Sequence, residues 1–346
     1  MTDYSCVADA GWEPADKPDR WLTQGLDKTI MGKASRTKVD ASRREKIAAQ
    51  RAAERRAEQR RRILIASGSI IVVLAVVVAF IVIKTNSKPS TSASSGSNGP
   101  TGAALTSVIN DVTSVPASTL DKVGTGNGAY TGKIQAISPA GAPLTANGKP
   151  EMLYMGAEYC PYCAAARWAM IVALSRFGTF SGLQTVHSAA ANGAGQAEPD
   201  PNTPTWTFLH ATYTSKYLTF TPVEMQTNIP DTATGSYTVL QNPTKAQQAL
   251  LTKYDAAPYV DSSEAGAIPF IDFGNKYLSV GTPYDPGVLS GLSWSTIAAD
   301  LHNPNSAVAR AVNGTANYFT AAICKMTGNQ PASACTATVQ SLEKGL

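Results

Sequence analysis

Hydrophobic positions along the chain fall into three regimes. Over the first sixty residues large apolar side chains are sparse, and they gather at Trp12, Trp21, Leu22, Leu26, Ile30 and Met31. Leu22, Leu26 and Ile30 recur at i, i+4 and i+8, the spacing of a short docking helix. Twenty residues cannot close a core, so this stretch is either disordered or packed on a partner. Residues 41–62 are Ala-, Arg- and Glu-rich and favour helix, but Ile47 is their only large apolar residue, which leaves that helix solvated. Residues 63–83 then run for 21 positions without a charge. At 1.5 Å per residue they span a hydrocarbon core of about 30 Å, and in lipid the backbone satisfies itself only as a helix.

After this run, residues 84–103 are Ser-, Gly-, Thr- and Pro-rich with no apolar period, a flexible tether of roughly 25 Å mean reach. Globular patterning fills residues 104–346. Leu105, Val108, Ile109 and Val112 predict a helix ending near Pro116, and residues 134–137 and 152–155 predict strands. Cys163, Ala166, Met170 and Leu174 continue with helical spacing, with Gly178 as the stop. Residues 205–213 and 216–220 read as β, with Trp206 and Phe208 as core or the wall of a groove. Residues 244–254 read as helix, 267–273 and 277–280 as strands, and 297–339 as a helical region.

Charge orients the apolar run. The net charge of +4 hides +8 over residues 33–62, −3 before them and −1 after. The positive charge stops where the apolar run starts, with Arg60, Arg61 and Arg62 against it, so the N-terminus is expected in the cytoplasm and the C-terminal domain outside. A run that begins only at residue 63 and is long enough to span fits an uncleaved signal anchor better than a cleaved signal peptide. The basic tail would sit against anionic lipid headgroups. The charge pattern excludes a nucleic-acid binder, whose basic residues belong on the folded domain.

Five cysteines carry the candidate chemistry. Cys6 falls on the reducing side as a free thiol. Cys160-Pro161-Tyr162-Cys163 follows an apolar strand and opens a helix, with Pro161 in the first turn, where a missing N–H costs nothing. A helix N-terminus favours a thiolate at Cys160, while Glu158 opposes it. Two thiols one turn apart suit exchange, with Cys160 as nucleophile and Cys163 as the resolving thiol. A zinc site would need two more ligands at suitable spacing, and none is evident. Cys324 and Cys335 flank a short polar stretch and read as a structural disulfide. His187, His210 and His302 show no metal or triad spacing. The Gly-rich run at 124–128 lacks the residues of a phosphate loop and reads as a turn. Asn313-Gly314-Thr315 fits a glycosylation acceptor, a match common by chance. Pro269, at the start of an apolar strand, marks an edge, a strand start or a cis bond.

The strand, the Cys-Pro-Tyr-Cys motif, its helix and Ile268-Pro269 resemble the thioredoxin superfamily, including its DsbA-like thiol oxidoreductases. More closely, AEYCPYCAAARWAMIVALSRFG, with VPASTLDKVGTGN before it, resembles the membrane-anchored family known as domain of unknown function 929 over residues 104–346. The resemblance implies an α/β, thioredoxin-like fold with a large insertion, preceded by a single transmembrane helix. It also implies that Ile268 and Pro269, with Pro161 and Tyr162, position substrate, the proline being cis and facing the sulfurs. Cys-Pro-Tyr-Cys occurs in glutaredoxins too, but no glutathione site is identifiable, and nothing matches the buried acid of thioredoxin. The expectation is a cytoplasmic tail (1–62), a membrane helix (63–83), a linker (84–103) and an extracytoplasmic domain (104–346) that exchanges disulfides with secreted protein thiols, without a cofactor. A membrane redox partner would recycle it. The alternative is a non-catalytic subunit that binds a membrane complex.

Overall fold

In this computed structural model residues 99–346 are described. The expected cytoplasmic tail, membrane helix and most of the linker lie outside them. Among the described residues no helix is long and apolar enough to cross a membrane.

The described chain opens with α1 (Gly102–Thr113) and α2 (Ala117–Val123), separated by Pro116, which cannot continue a helix. Val108 and Val112 bury one face of α1, and Leu120 anchors α2. The strands β1 (Ile134–Ala136), β2 (Thr145–Ala146) and β3 (Lys149–Gly156) follow. In β3 the last five residues are all buried, as a strand covered on both faces requires. The next element is α3 (Pro161–Leu174), in which every residue except Tyr162 is buried. Its apolar pattern is therefore all-round rather than one-sided, the mark of a helix inside the core.

The hundred residues expected as an insertion hold β4 (Gly178–Ser181), β5 (Gln184–His187), β6 (Pro204–Thr207), β7 (Thr212–Ser215), β8 (Thr219–Glu224), β9 (Gln226–Asp231), β10 (Ser236–Val239) and α4 (Lys245–Tyr254). Gly178 is not the stop of α3, which ends at Leu174; it begins β4, where a Cβ would lie 2.3 Å from the Thr214 carbonyl oxygen. Three two-stranded pairs form here, β4 with β7, β5 with β6 and β9 with β10. Strand β8 instead joins the central sheet, parallel to β3, with Tyr154 opposite Pro222 and Gly156 opposite Glu224. Pro222 is tolerated because, among the described residues, β8 pairs with a strand on one side only.

The chain returns through β11 (Phe270–Phe273) and β12 (Tyr277–Val280). The sheet is mixed: β8 is parallel to β3, β11 is antiparallel to β3, and β12 and then β1 extend it antiparallel. The short β2 turns back on β3. The larger core lies between one face of the sheet and α3, with α6 (below) packed on the helix. Trp206 and Phe208 are buried in it, and Trp206 packs edge-on against Trp168. The smaller core, around Leu153, Met155, Val223, Tyr254 and Phe270, fills the other face.

Residues expected as one helical region resolve into α5 (Trp294–Asp300), α6 (Ala307–Thr327) and α7 (Ala337–Leu342). Cys324 and Cys335 are disulfide-bonded, tying the last turn of α6 to the residue before the N-cap of α7. The buried polar residues of α6 close other elements: Asn317 donates to the carbonyls of Leu120 and Gly124, at the end of α2. Asn313 is fully buried and donates to the Leu301 carbonyl at 2.8 Å, so it is no glycosylation acceptor in the folded chain. The Gly-rich run is a turn, where a Cβ on Gly126 would meet the Arg310 carbonyl oxygen at 2.2 Å.

Candidate functional site

A buried strand that stops at a helix N-terminus aims the first residues of that helix at the sheet edge. Here β3 ends at Gly156 and Cys160 is the N-cap of α3, with Pro161 in the first turn. The Cys160 Sγ accepts a hydrogen bond from the Cys163 backbone N–H at 3.3 Å, which occupies one of the donors a helix start leaves unpaired. Both cysteines are free thiols in this structure. Cys160 keeps 4% of its surface open and Cys163 none, so only Cys160 is open to attack from outside.

Electrostatics divide the pair further. Burial works against ionising Cys160, but hydrogen bonds from the Cys163 thiol and backbone N–H and from the Tyr162 backbone N–H, together with the charge of Arg167, outweigh it, and its pKa is lowered. Burial, its hydrogen bond to Cys160 and the Cys160 charge hold the Cys163 thiol well above the usual range. Cys160 is thus the more exposed and the more readily ionised of the two thiols. Burial pushes the Glu158 carboxyl up, against the Thr207 hydroxyl and Arg167, which pull it down.

The chain brings Ile268-Pro269 to the same place. Their peptide bond is cis, and the Cys160 thiol donates to the Ile268 carbonyl at 3.7 Å. Pro269 is buried and leads into β11, which pairs with β3 from Phe270 opposite Met155. Pro161 is buried and Tyr162, half-buried, stands at the first turn of α3. Cys324 lies on α6 and Cys335 just before α7, neither on the elements that carry the dithiol.

Three features around the dithiol escaped the sequence pattern. Arg167, one turn beyond Cys163, is fully buried and makes a two-pronged ion pair with Glu224 at the end of β8, 2.9 Å at Nε and 2.6 Å at Nη2. Tyr159 stacks on Tyr237 of β10 at 4.1 Å between ring centres, and the Tyr237 hydroxyl donates to Glu198 at 2.5 Å. A groove of about 660 Å³ opens between residues 187–192 and β9, lined among others by Ser188, Ala189, Asn192, Asn228 and Ile229. Its two walls are tied to the residues before Cys160: the Ala189 N–H donates to the Tyr159 carbonyl, and the Glu158 N–H donates to the Gln226 carbonyl, both at 2.9 Å. A lone Arg in the apolar run Ala164–Leu174 was the available signal for the ion pair; the groove had none.

The histidines stand apart from one another. His187 lies edge-on to Trp294, and burial lowers its pKa; the His302 ring meets the Asp111 carbonyl at 2.9 Å. Among the described residues no three His, Cys, Asp or Glu side chains gather to hold a metal.

The family described as Domain of unknown function (DUF929) matches residues 135–325. That match takes in the dithiol, the ion pair and the groove. No curated protein and no solved structure matches the chain.

Proposed function

The chain belongs to the Domain of unknown function (DUF929) family, a kinship that leaves the chemistry to be read from the site, and we propose that it is a thiol–disulfide oxidoreductase of thioredoxin-like fold. The observation that carries the reading is the Cys160–Cys163 pair at the start of α3, one sulfur accessible with a lowered pKa, the other sealed with a raised one. Such a pair exchanges disulfides in two steps: an outer sulfur bonds to Cys160, and the inner thiol resolves the mixed disulfide.

The fold assignment is supported by the order of connections. A strand, the dithiol helix and a parallel strand (β3, α3, β8) are followed by a helix and an antiparallel pair (α4, β11, β12). The Ile268 carbonyl beside Cys160 marks where substrate backbone would lie. The groove between residues 187–192 and β9 extends that line, and Ile229 on its wall is 47% exposed. An apolar position beside carboxamides suits an extended peptide flanking a cysteine.

The apolar segment at 63–83, with its basic flank, supports a single-pass anchor that holds the domain outside the cytoplasm. There the substrates are secreted proteins, and a membrane redox partner, such as a quinone-linked oxidase, returns the pair to its working state. The test is equilibration of the full chain, in detergent micelles, against glutathione buffers, counting the thiols of Cys160 and Cys163 by alkylation. A midpoint near about −120 mV would place the pair with strong oxidants and one near about −270 mV with reductants. A pair that cannot be reduced and reoxidised rejects the oxidoreductase and leaves a thioredoxin-like binding subunit for a membrane complex.

A further inference from the structure

A buried ion pair is an expensive way to fill space. Desolvating both charges roughly cancels their attraction, and well-packed apolar residues of the same volume usually serve stability as well or better. Arg167 and Glu224 are both fully buried, and they sit in the helix and strand that flank the dithiol. Residues four apart on a helix share a face, which places Arg167 directly behind Cys163. The guanidinium gives Nε and Nη2 to Glu224, and Nη1, outside that fork, is buried with no hydrogen-bond partner. The Tyr154 ring lies 5.8 Å from the Arg167 Cζ, and its hydroxyl is likewise buried without a partner. Two donors in the elements that carry and precede the dithiol are therefore buried and unused, and a negative charge developing on the sulfurs would be drawn to them. The opposing carboxylate is itself restrained, since the Phe208 N–H donates to its Oε1 and its own backbone N–H donates to Gln241.

We propose that Arg167, held in place by Glu224, is a positioning residue that favours the reduced, thiolate-bearing form of the Cys160–Cys163 pair and so sets the pair to accept electrons from substrate dithiols. This rests on the oxidoreductase reading above and adds the direction of flow. In the oxidised enzyme a substrate thiolate attacks the Cys160 sulfur. The Cys160–Cys163 bond breaks, and Cys163 leaves with the electron pair and takes up a proton. The second substrate thiolate then attacks the substrate sulfur of the mixed disulfide and releases Cys160 as a thiolate. The substrate loses two electrons and gains a disulfide; the enzyme gains both electrons. Of the two protons from the substrate thiols, one stays on Cys163 and one goes to water. A cation behind the pair stabilises this product state and does nothing for the neutral disulfide. The pull of Arg167 on both sulfurs is consistent with that bias.

The test uses the full chain and two substitutions of opposite sign. Glu224→Gln keeps the shape and leaves the Arg167 charge uncompensated. The double variant Arg167→Met/Glu224→Gln removes both charges while keeping volume. Against glutathione, Glu224→Gln is expected to shift the equilibrium about tenfold toward the dithiol and the double variant about tenfold toward the disulfide, about 30 mV each way. The Cys160 thiolate, followed by ultraviolet absorbance against pH, should appear at lower pH in the first and at higher pH in the second. Arg167→Lys, which keeps charge and loses the fork, should stay between wild type and the double variant. Shifts of one sign in Glu224→Gln and the double variant, or none in Glu224→Gln, overturn the proposal, and Glu224→Gln alone decides should the double variant not fold. A wild-type pair that does not cycle fails the oxidoreductase reading instead, a result separable from these.

Discussion

Two cysteine pairs in this domain, both buried, differ in bonding, in spacing and in their place on a helix. Cys324 and Cys335 are eleven positions apart, bonded, and buried where α6 ends and α7 is about to begin. Cys160 and Cys163 are unbonded, one helical turn apart at the start of α3, and also buried, Cys160 keeping 4% of its surface open. A closed loop of about ten residues removes enough chain entropy to stabilise a fold, whereas a loop of three removes little. The helix ends differ as well: unpaired N–H groups at the start of α3 favour an anion, while Cys324 lies in the last turn of α6, where the dipole opposes one. On the proposed function, position on a helix, more than the residue itself, makes one pair a staple and the other a reagent.

The largest effect expected from breaking this contrast follows Cys160→Ser. Catalysed disulfide exchange with a reduced model protein should fall at least about a thousandfold, to the uncatalysed rate, with the thermal transition nearly unmoved. The Cys324→Ser/Cys335→Ser variant should do the reverse. Its exchange rate at 25 °C should stay within about twofold, while stability falls by about 3 kcal/mol in a denaturant titration. Loss of exchange in a folded Cys324→Ser/Cys335→Ser variant would mean that the staple also shapes the site.

An acid elsewhere in the same sheet has to be separated from the thiols in any pH series. Asp272 of β11 is fully buried; burial pushes its pKa up to about 7, against the Asn275 N–H that donates to it at 2.6 Å, and Glu151 adds to the rise. The folded state therefore holds this proton more tightly than the unfolded chain does. Its stabilising effect is complete below about pH 4 and is lost as pH rises to about 7. At about 1.4 kcal/mol per pKa unit the loss is at most a few kcal/mol. Asp272→Asn keeps the acceptor for Asn275 and should flatten the fall in melting temperature between pH 4 and 7 by about 2 kcal/mol in equivalent stability. An unchanged slope would show that Asp272 does not titrate there.

The contrast within the reactive pair is smaller in effect. Iodoacetamide should alkylate reduced Cys160 at least about tenfold faster than Cys163, with a pH midpoint below the ordinary thiol value of about 8.5. Mass mapping of the labelled peptide reads both numbers. Equal labelling would remove the basis for assigning the nucleophile.

Much of this was legible from local pattern. The strand, Cys160, Pro161 and the helix that follows are specified by apolar runs and by a proline placed where it starts a helix. Pattern failed where distant residues meet. Arg167 lies inside an apolar helix, but its partner Glu224 follows Pro222, and a proline normally ends the reading of a strand. Strand β8 runs through it because, among the described residues, no second strand pairs with its outer edge, a fact of topology that sequence period does not carry. Gly178 misled for a related reason: it answers to the close Thr214 backbone rather than to the helix before it. The β9–β10 hairpin is short and half-exposed, so its apolar residues have no period to reveal them.

That hairpin supplies the finest distinction between the two cysteine pairs, since a groove with an exposed apolar side chain adjoins the residues before Cys160. Among the described residues the exposed large apolar side chains are Ile229 and Val239, 47% and 61% open, and both lie on the hairpin. Ile229 faces the groove whose walls are pinned to Glu158 and Tyr159. Replacing it with Ser removes an apolar contact worth about 1 kcal/mol where a peptide covers it. In the folded protein Ile229→Ser should raise KM for a protein substrate about fivefold and leave kcat within twofold, with no change toward a small dithiol that cannot reach the groove. The small dithiol supplies the control, since it meets Cys160 but not β9. Equal losses toward both substrates would place the effect in the dithiol itself, and no loss toward either would mean that peptides enter along another face.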